Sequence, residues 1–213
     1  MEPATLNLNI DGTQRTFFYR PGTVDEAVVV HGLKNLGYGF GPLRRAAELT
    51  EFYARVADAG KAPLIVDVDA NIGAAAVYFA LKFPKARVVA VEADENKFEL
   101  LRMNLVSLPV ECIRAAGAAA GRGALSVDEI YRSAGSSAAP FIVKFNVEAD
   151  LPSFFADAAW PARTPVIMSE LSDSLFPGTP NTRAFVDIIA QTDRDFAYVN
   201  GNIVSIGRAP LSF

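Results

Sequence analysis

Leu64–Gly73, LIVDVDANIG, is the stretch on which the fold turns. Five residues of strand character, Leu64 to Val68, run into a short loop of acidic, amide and small side chains. Gly73 then opens an apolar helical segment, Ala74 to Phe83. A strand that is apolar on both sides predicts a central position in a parallel sheet, with helices on both faces. Such sheets take ligands beyond the carboxyl ends of their strands, where helix N-termini leave backbone N–H groups unpaired. Asp67 and Asp69 flank that end of the strand.

The same alternation continues outward. Arg87 to Val91 reads as a strand and Glu95 to Leu105 as a helix with Phe98, Leu101 and Leu105 on one face. Val110 to Arg114 is a further strand, Val127 to Arg132 a short helix and Phe141 to Val147 a strand. Ser153 to Ala158, Pro165 to Glu170 and Thr182 to Gln191 repeat the helix, strand and helix order. Phe196 to Val199 and Ile203 to Ile206 flank Asn200-Gly201-Asn202, a strong hairpin signal that predicts an antiparallel pair closing the sheet. Ala115 to Gly123, AAGAAAGRG, reads as a loop, either edging a site or lying on the surface without a role.

Upstream, Leu6 to Phe18 alternates around Asp11-Gly12 and predicts a hairpin outside the main sheet. Asp25 to Leu36 reads as a short helix, and GYGFG at Gly37 to Gly41 as either a lid or a connector whose rings pack on the domain. Ala46 to Ala59 has Leu49, Phe52, Tyr53 and Val56 at helical spacing. The expected organisation is an appended hairpin and helix over residues 1–45 and one α/β domain over 46–213.

The chain has 213 residues, enough for one domain with a substantial core, and 51% of them are apolar. Its net charge of −4 disfavours nucleic acid and anionic membrane as partners. Cys112 is the only cysteine, which excludes an intrachain disulfide and a cysteine metal cluster. No metal-ligand spacing is present. The first residues lack the apolar core of a signal peptide or membrane helix, so the expectation is a soluble cytoplasmic protein with a small-molecule substrate. Oligomeric state is not legible.

Glu92 ends the second strand of the alternation, nineteen residues beyond Gly73. A carboxylate at that position can accept both hydroxyl protons of a ribose, which favours an adenosine-containing ligand. The complete GxGxxG fingerprint is absent, as is a phosphate loop. The plainer alternative is that Asp67 and Glu92 cap loops and Gly73 serves helix packing.

The run from Leu64 to Leu105 resembles the core of the FkbM family of S-adenosylmethionine-dependent methyltransferases, and IVKFNVEAD at 142–150 resembles that family's KIDVEG-type motif. The resemblance spans Gly37 to Glu170. It implies a Rossmann-like seven-stranded, mostly parallel sheet with a C-terminal antiparallel hairpin, the class I methyltransferase fold. It also implies S-adenosyl-L-methionine as cofactor and methyl transfer to an oxygen of a sugar or small metabolite. Asp67, Asp69, Ala70, Asn71, Gly73, Glu92 and Asp94 fall on its cofactor positions, and Lys144, Asn146 and Glu148 on the motif near the reaction centre.

Three residues depart from the family pattern. Asp69 stands where it has glycine, Asn146 where it has aspartate, and Ala149 where it has glycine. Asp69 adds a Cβ and a negative charge to the turn, and Asn146 cannot take a proton, which leaves Glu148 as the first candidate base and Asp150 as the next. His31, the single histidine, lies in apolar VVVHGL and reads as a helix-end or core-edge residue in preference to a neutral-pH base, and Glu170 as a loop anchor in preference to a cleft-facing carboxylate. These departures also motivate a second reading, a catalytically silent methyltransferase-fold protein acting in ligand binding or protein association.

Overall fold

The computed structural model describes residues 2–10, 12–34, 37–117, 124–146, 151–155, 158–170, 181–208, 211 and 213, without the side chains at 31, 152, 153 and 181. An N-terminal hairpin, β1 (Ala4–Ile10) and β2 (Thr13–Tyr19), forms its own two-stranded sheet. A four-residue helix α1 (Asp25–Val28) passes into a π-helical turn, Val29–Lys34, in place of the expected uniform helix. Residues 35 and 36 of that expected helix lie outside the described residues.

The α/β alternation then begins. It runs through α2 (Ala46–Asp58), β3 (Ala62–Val68), α3 (Ala74–Lys82), β4 (Arg87–Glu92), α4 (Glu95–Leu105) and β5 (Val110–Arg114). Two-residue strands β6 (Ala116–Gly117) and β7 (Ala124–Leu125) pair in parallel at either end of the glycine- and alanine-rich segment, whose residues 118–123 are not described. After them come α5 (Val127–Ala134), β8 (Ala138–Phe145), α6 (Leu151–Phe155) and α7 (Trp160–Arg163). The chain closes with β9 (Val166–Ser169), α8 (Asn181–Ile189), β10 (Arg194–Val199) and β11 (Asn202–Gly207).

The seven-stranded sheet has the order β10-β11-β9-β8-β3-β4-β5. Pairing is parallel from β9 through β5, and β11 runs antiparallel to both of its neighbours. This is the expected fold class. Asn200 and Gly201 both have positive φ, 51° and 87°, the conformation a two-residue primed hairpin turn requires.

Several strand boundaries differ from expectation by one or two residues, and the largest shift, at the start of β8, has a physical reason. The strand expected at Phe141–Val147 begins three residues earlier, at Ala138, because Pro140 lies beside a bulge: Leu64 pairs with Pro140, and the next residue, Ile65, pairs with Ile142. Proline lacks a ladder donor and is tolerated at such an irregularity. The strand ends at Phe145, and α7 was not foreseen.

Helices cover both faces of the sheet. Leu49, Phe52 and Val56 of α2, the apolar side of α3, and Leu101 and Leu105 of α4 pack on one face together with Ile10 and Phe17 of the hairpin. On the other, Phe145 sits among Phe154, Phe155, Trp160 and Phe185, with ring centroids 5.0 to 6.4 Å away. Capping sets two helix starts: Asp94 Oδ1 accepts from the Lys97 amide, and Ser126 with Glu129 forms a capping box.

A buried amide on α4 ties the hairpin to the loop after β3, beside three bonds from Arg15 to the end of α4 and the residues after it. Asn104, 1% exposed, accepts from the Phe18 amide at 2.7 Å and donates to the carbonyls of Phe18 (2.9 Å) and Ile72 (2.8 Å). Its position beside Leu100, Leu101 and Leu105 on the apolar side of α4 is the sequence signal of a buried polar anchor. Asn104→Ala would leave these backbone groups unpaired, at a cost of about 2–4 kcal/mol. Urea denaturation measures it, and a change below about 0.5 kcal/mol would refute the anchoring role.

Candidate functional site

From β3 the chain steps outward through β4 and β5, then returns to place β8 on the other side of β3. The reversal opens a crevice between β3 and β8 at their carboxyl ends. Asp67 and Lys144 are register partners there, with Lys144 Nζ 3.0 Å from Asp67 Oδ1. Asp67 is fully buried and Lys144 is 5% exposed. Burial pushes the Asp67 carboxyl above its ordinary range, partly offset by Lys144 and the Ala76 amide. Burial alone would lower Lys144, but the neighbouring Asp67 charge outweighs it and keeps the ammonium protonated.

The loop after β3 takes an alternating course. Asp69, Asn71 and Gly73 have φ of 56°, 54° and 90°, all left-handed. Aspartate and asparagine enter this region more easily than other side chains, although at a cost of about 1 kcal/mol. The need for glycine at 73 is conformational: an added Cβ would meet Leu101 only at an ordinary 3.5 Å.

Glu92 stitches this loop to the next one. Its Oε2 accepts from the Asn71 amide at 2.7 Å and its Oε1 from the Asp94 amide at 2.9 Å. The carboxylate is 2% exposed. Burial raises its pKa, the Asp94 and Asn71 amides oppose this, and the negative charge of Asp69 adds to the rise. The main chain continues the stitching, with the Ala70 amide on the Val91 carbonyl at 2.9 Å and the Gly73 amide on the Ala70 carbonyl at 2.9 Å.

Around this pole, polar atoms are buried without hydrogen-bond partners among the described residues. They are Asp67 Oδ2, Asn71 Oδ1, Asn146 Oδ1 and Ser169 Oγ, at the ends of β3, β8 and β9; Asp67 Oδ1 has its ion pair, and the Ala76 amide lies near the Asp67 carboxylate but outside hydrogen-bond geometry. Native proteins pair most such atoms, and a cluster of exceptions marks a place for a ligand or solvent. At least three of the four are pure acceptors, so a bound group must present donors.

Of the expected site residues, Asp67, Asp69, Ala70, Asn71, Gly73, Glu92, Asp94, Lys144 and Asn146 all fall on the adjoining ends of β3, β4 and β8 or on the loops that follow. Glu148, together with 147, 149 and 150, lies outside the described residues, as do residues 171–180 and the side chain of His31. Glu170 is exposed at the end of β9.

Sequence reading missed Ser169 and Tyr38. Tyr38 is buried against Tyr78 and Phe79, each 6.0 Å between centroids, so GYGFG is a connector with packed rings. Burial pushes its hydroxyl up to about 12, with Lys144, Asp67 and Glu170 within electrostatic reach. Its ring lies where a Cβ on Gly32 would come within 2.6 Å, so the glycine of the early helix makes room for it.

Comparison with solved structures fits this layout. The chain is similar to the O-methyltransferase TomG of Streptomyces achromogenes, involved in tomaymycin synthesis and solved with S-adenosylmethionine: 16% identity, 89% of this chain, 91% of that one, TM-score 0.51. An O-methyltransferase of Bacillus cereus, solved with SAH, is 19% identical over 89% and 92% of the two chains, with a TM-score of 0.49. The fold is that of the class I methyltransferases. No family model matches the sequence, and no curated protein does either.

The methyltransferase fold therefore stands, whereas the narrower FkbM assignment does not. No family model matches, and the structural likeness falls on a class I methyltransferase of another kind. No helix among the described residues is long and apolar enough to cross a membrane. A cavity of about 750 Å³ opens elsewhere, against β10 and β11.

Glu92→Gln tests the stitching. Glutamine offers one acceptor oxygen and turns an N–H toward the other amide, so stability should fall by about 1–3 kcal/mol in urea denaturation. Unchanged stability would mean that the two amide bonds do not hold the loops.

Proposed function

We propose that the chain binds S-adenosyl-L-methionine at the carboxyl ends of β3, β4 and β8 and methylates an oxygen of a small molecule. The observation that carries this reading is the cluster of unpartnered buried oxygens on Asp67, Asn71 and Asn146 at the switch point. The cofactor's ammonium and ribose hydroxyls are donors of the kind these acceptors need, and its carboxylate suits the unpaired amides at the start of α3. Bound there, it would supply a methyl group on an electrophilic sulfonium.

The chain's own residues divide the remaining work. Lys144 balances the Asp67 charge and leaves Asp67 Oδ2 open to a ligand donor. Asn71 presents its side-chain oxygen while its amide is held by Glu92. Glu92 sets the two loops, and a ribose contact falls to its remaining lone pairs. Asp69 and Asp94 border the same loops with further carboxylates, and the left-handed turn at Gly73 lets Ala70 and Gly73 bring backbone close to the ligand.

A hydroxyl acceptor must lose its proton as the new O–CH₃ bond forms, and a carboxylate nearby takes it. Lys144 is protonated and occupied, and Asn146 has no basic site, so the role falls to Glu148. Asn146 then orients the acceptor through its amide.

Titration calorimetry with S-adenosyl-L-methionine tests the reading. One site per chain is expected, weakened about tenfold in Asn71→Gly, which removes the side-chain oxygen and relieves the left-handed backbone. A folded sample that shows no binding at millimolar cofactor, or an Asn71→Gly variant that binds as the parent does, overturns it. Tight binding without turnover in both the parent and Asn146→Asp would favour the silent reading.

A further inference from the structure

The cavity against β10 and β11 is lined by two arginines that pair with no carboxylate among the described residues. Arg194, 6% exposed, spends its N–H groups on neutral oxygens alone: Ser205 Oγ and the carbonyls of Ser205, Pro161, Thr164 and Pro165, at 2.8 to 3.1 Å. Burial pushes its pKa down to about 10, and the nearby Arg45 charge pushes the same way. Arg44 lines the same cavity, is exposed, and has no ion pair or hydrogen bond among the described residues.

The other rim charges are already paired. Asp195 bridges Arg45 at 3.0 Å and Arg208 at 2.8 Å, Glu48 forks onto Arg45 at 2.6 and 2.7 Å, and Asp193 lies 3.4 Å from Arg208. Four arginines thus meet three carboxylates, which leaves a net surplus of one positive charge, and Arg44 is the exposed guanidinium without a partner among the described residues. The surplus is positive although the chain carries a net −4. Charge so placed attracts an anion.

The rest of the lining is apolar apart from Asn200 and the Tyr198 hydroxyl. Val204 and Ile206 of β11, with Ala197 and Val199 of β10, form one wall, and Leu43 faces them. Their volume of about 750 Å³ suits a whole small molecule rather than a single ion. Three strand spacings separate β11 from β3, about 14 Å, so this cavity is distinct from the switch-point site.

We propose that the cavity between β10, β11 and the segment 42–45 is a second binding site, for an organic anion with an apolar body whose charged head meets Arg44. An alkyl carboxylate and an alkyl phosphate share this chemistry. The proposal does not rest on the methyltransferase reading.

Calorimetry and amide chemical-shift mapping on the full chain test it with octanoate, octyl phosphate and octanol as probes. Either anion should bind saturably, with shifts at Ala197, Val199 and Val204, and the tighter of the two identifies the head group. Octanol should bind at least about tenfold more weakly, and so should octanoate to Arg44→Ala or Arg44→Glu. Arg44 is exposed and unpaired, so these variants should fold and bind S-adenosyl-L-methionine as the parent does.

Octanol binding as tightly as octanoate, an unaffected Arg44→Ala, or shifts confined to the ends of β3 and β8 would each overturn the proposal. A concentration-dependent dimer that covers Tyr198 and Arg44 and resists octanoate would do so as well, by giving the face to a second copy of the chain.

Discussion

A carboxylate and an ammonium share a buried position of the sheet, and the layout of its ligand-binding end follows from how they are placed. Asp67 and Lys144 face each other across the β3–β8 ladder, the junction between parallel strands at which the chain reverses its direction of travel along the sheet. Removing one partner of such a pair strands the other charge in a low dielectric, typically at about 3–5 kcal/mol. A wholly apolar pair would pack as well. What the ion pair adds is a fixed carboxylate with an oxygen to spare beside the first turn of α3.

The loops around that carboxylate are held by hydrogen bonds to their backbone as well as by the packing of Ala70 and Ile72 in the core. Glu92 accepts the Asn71 and Asp94 amides, Ala70 extends the ladder onto Val91, and Asn104 reaches from α4 to Ile72 while gripping Phe18 of the hairpin. The N-terminal hairpin is thereby coupled to the site loop through one side chain. The left-handed residues 69, 71 and 73 are the geometric result of turning from β3 into α3 while keeping these bonds. Asp69 fits as one of the residue types that tolerates such a conformation, with its charge added to an already acidic corner.

Much of this was legible in the sequence. Continuous apolar strands spaced by amphipathic helices required a parallel sheet, and Asn200-Gly201 required a tight hairpin. The positions of Asp67, Gly73 and Glu92 followed from strand ends. The hidden parts depend on tertiary contacts: Pro140 masked the start of β8 because the bulge beside it comes from the mismatch with β3. Tyr38 reached the pole only because Gly32 leaves space for its ring, and an Arg194 without a carboxylate partner is visible only once its five neutral partners are in place. The FkbM resemblance did not stand: no family model matches, and the likeness to solved structures is one of fold.

The account stands on the claim that the unpartnered oxygens at the ends of β3, β8 and β9 receive a ligand's donors. Amide chemical-shift mapping with S-adenosyl-L-homocysteine, which keeps the ammonium and ribose and lacks the methyl group, tests this most directly. Saturable shifts centred on Asp67 to Gly73, Asp94, Asn146 and Ser169 are the predicted result. Shifts centred on the β10–β11 cavity, or a folded chain whose spectrum does not respond at millimolar ligand, would contradict it.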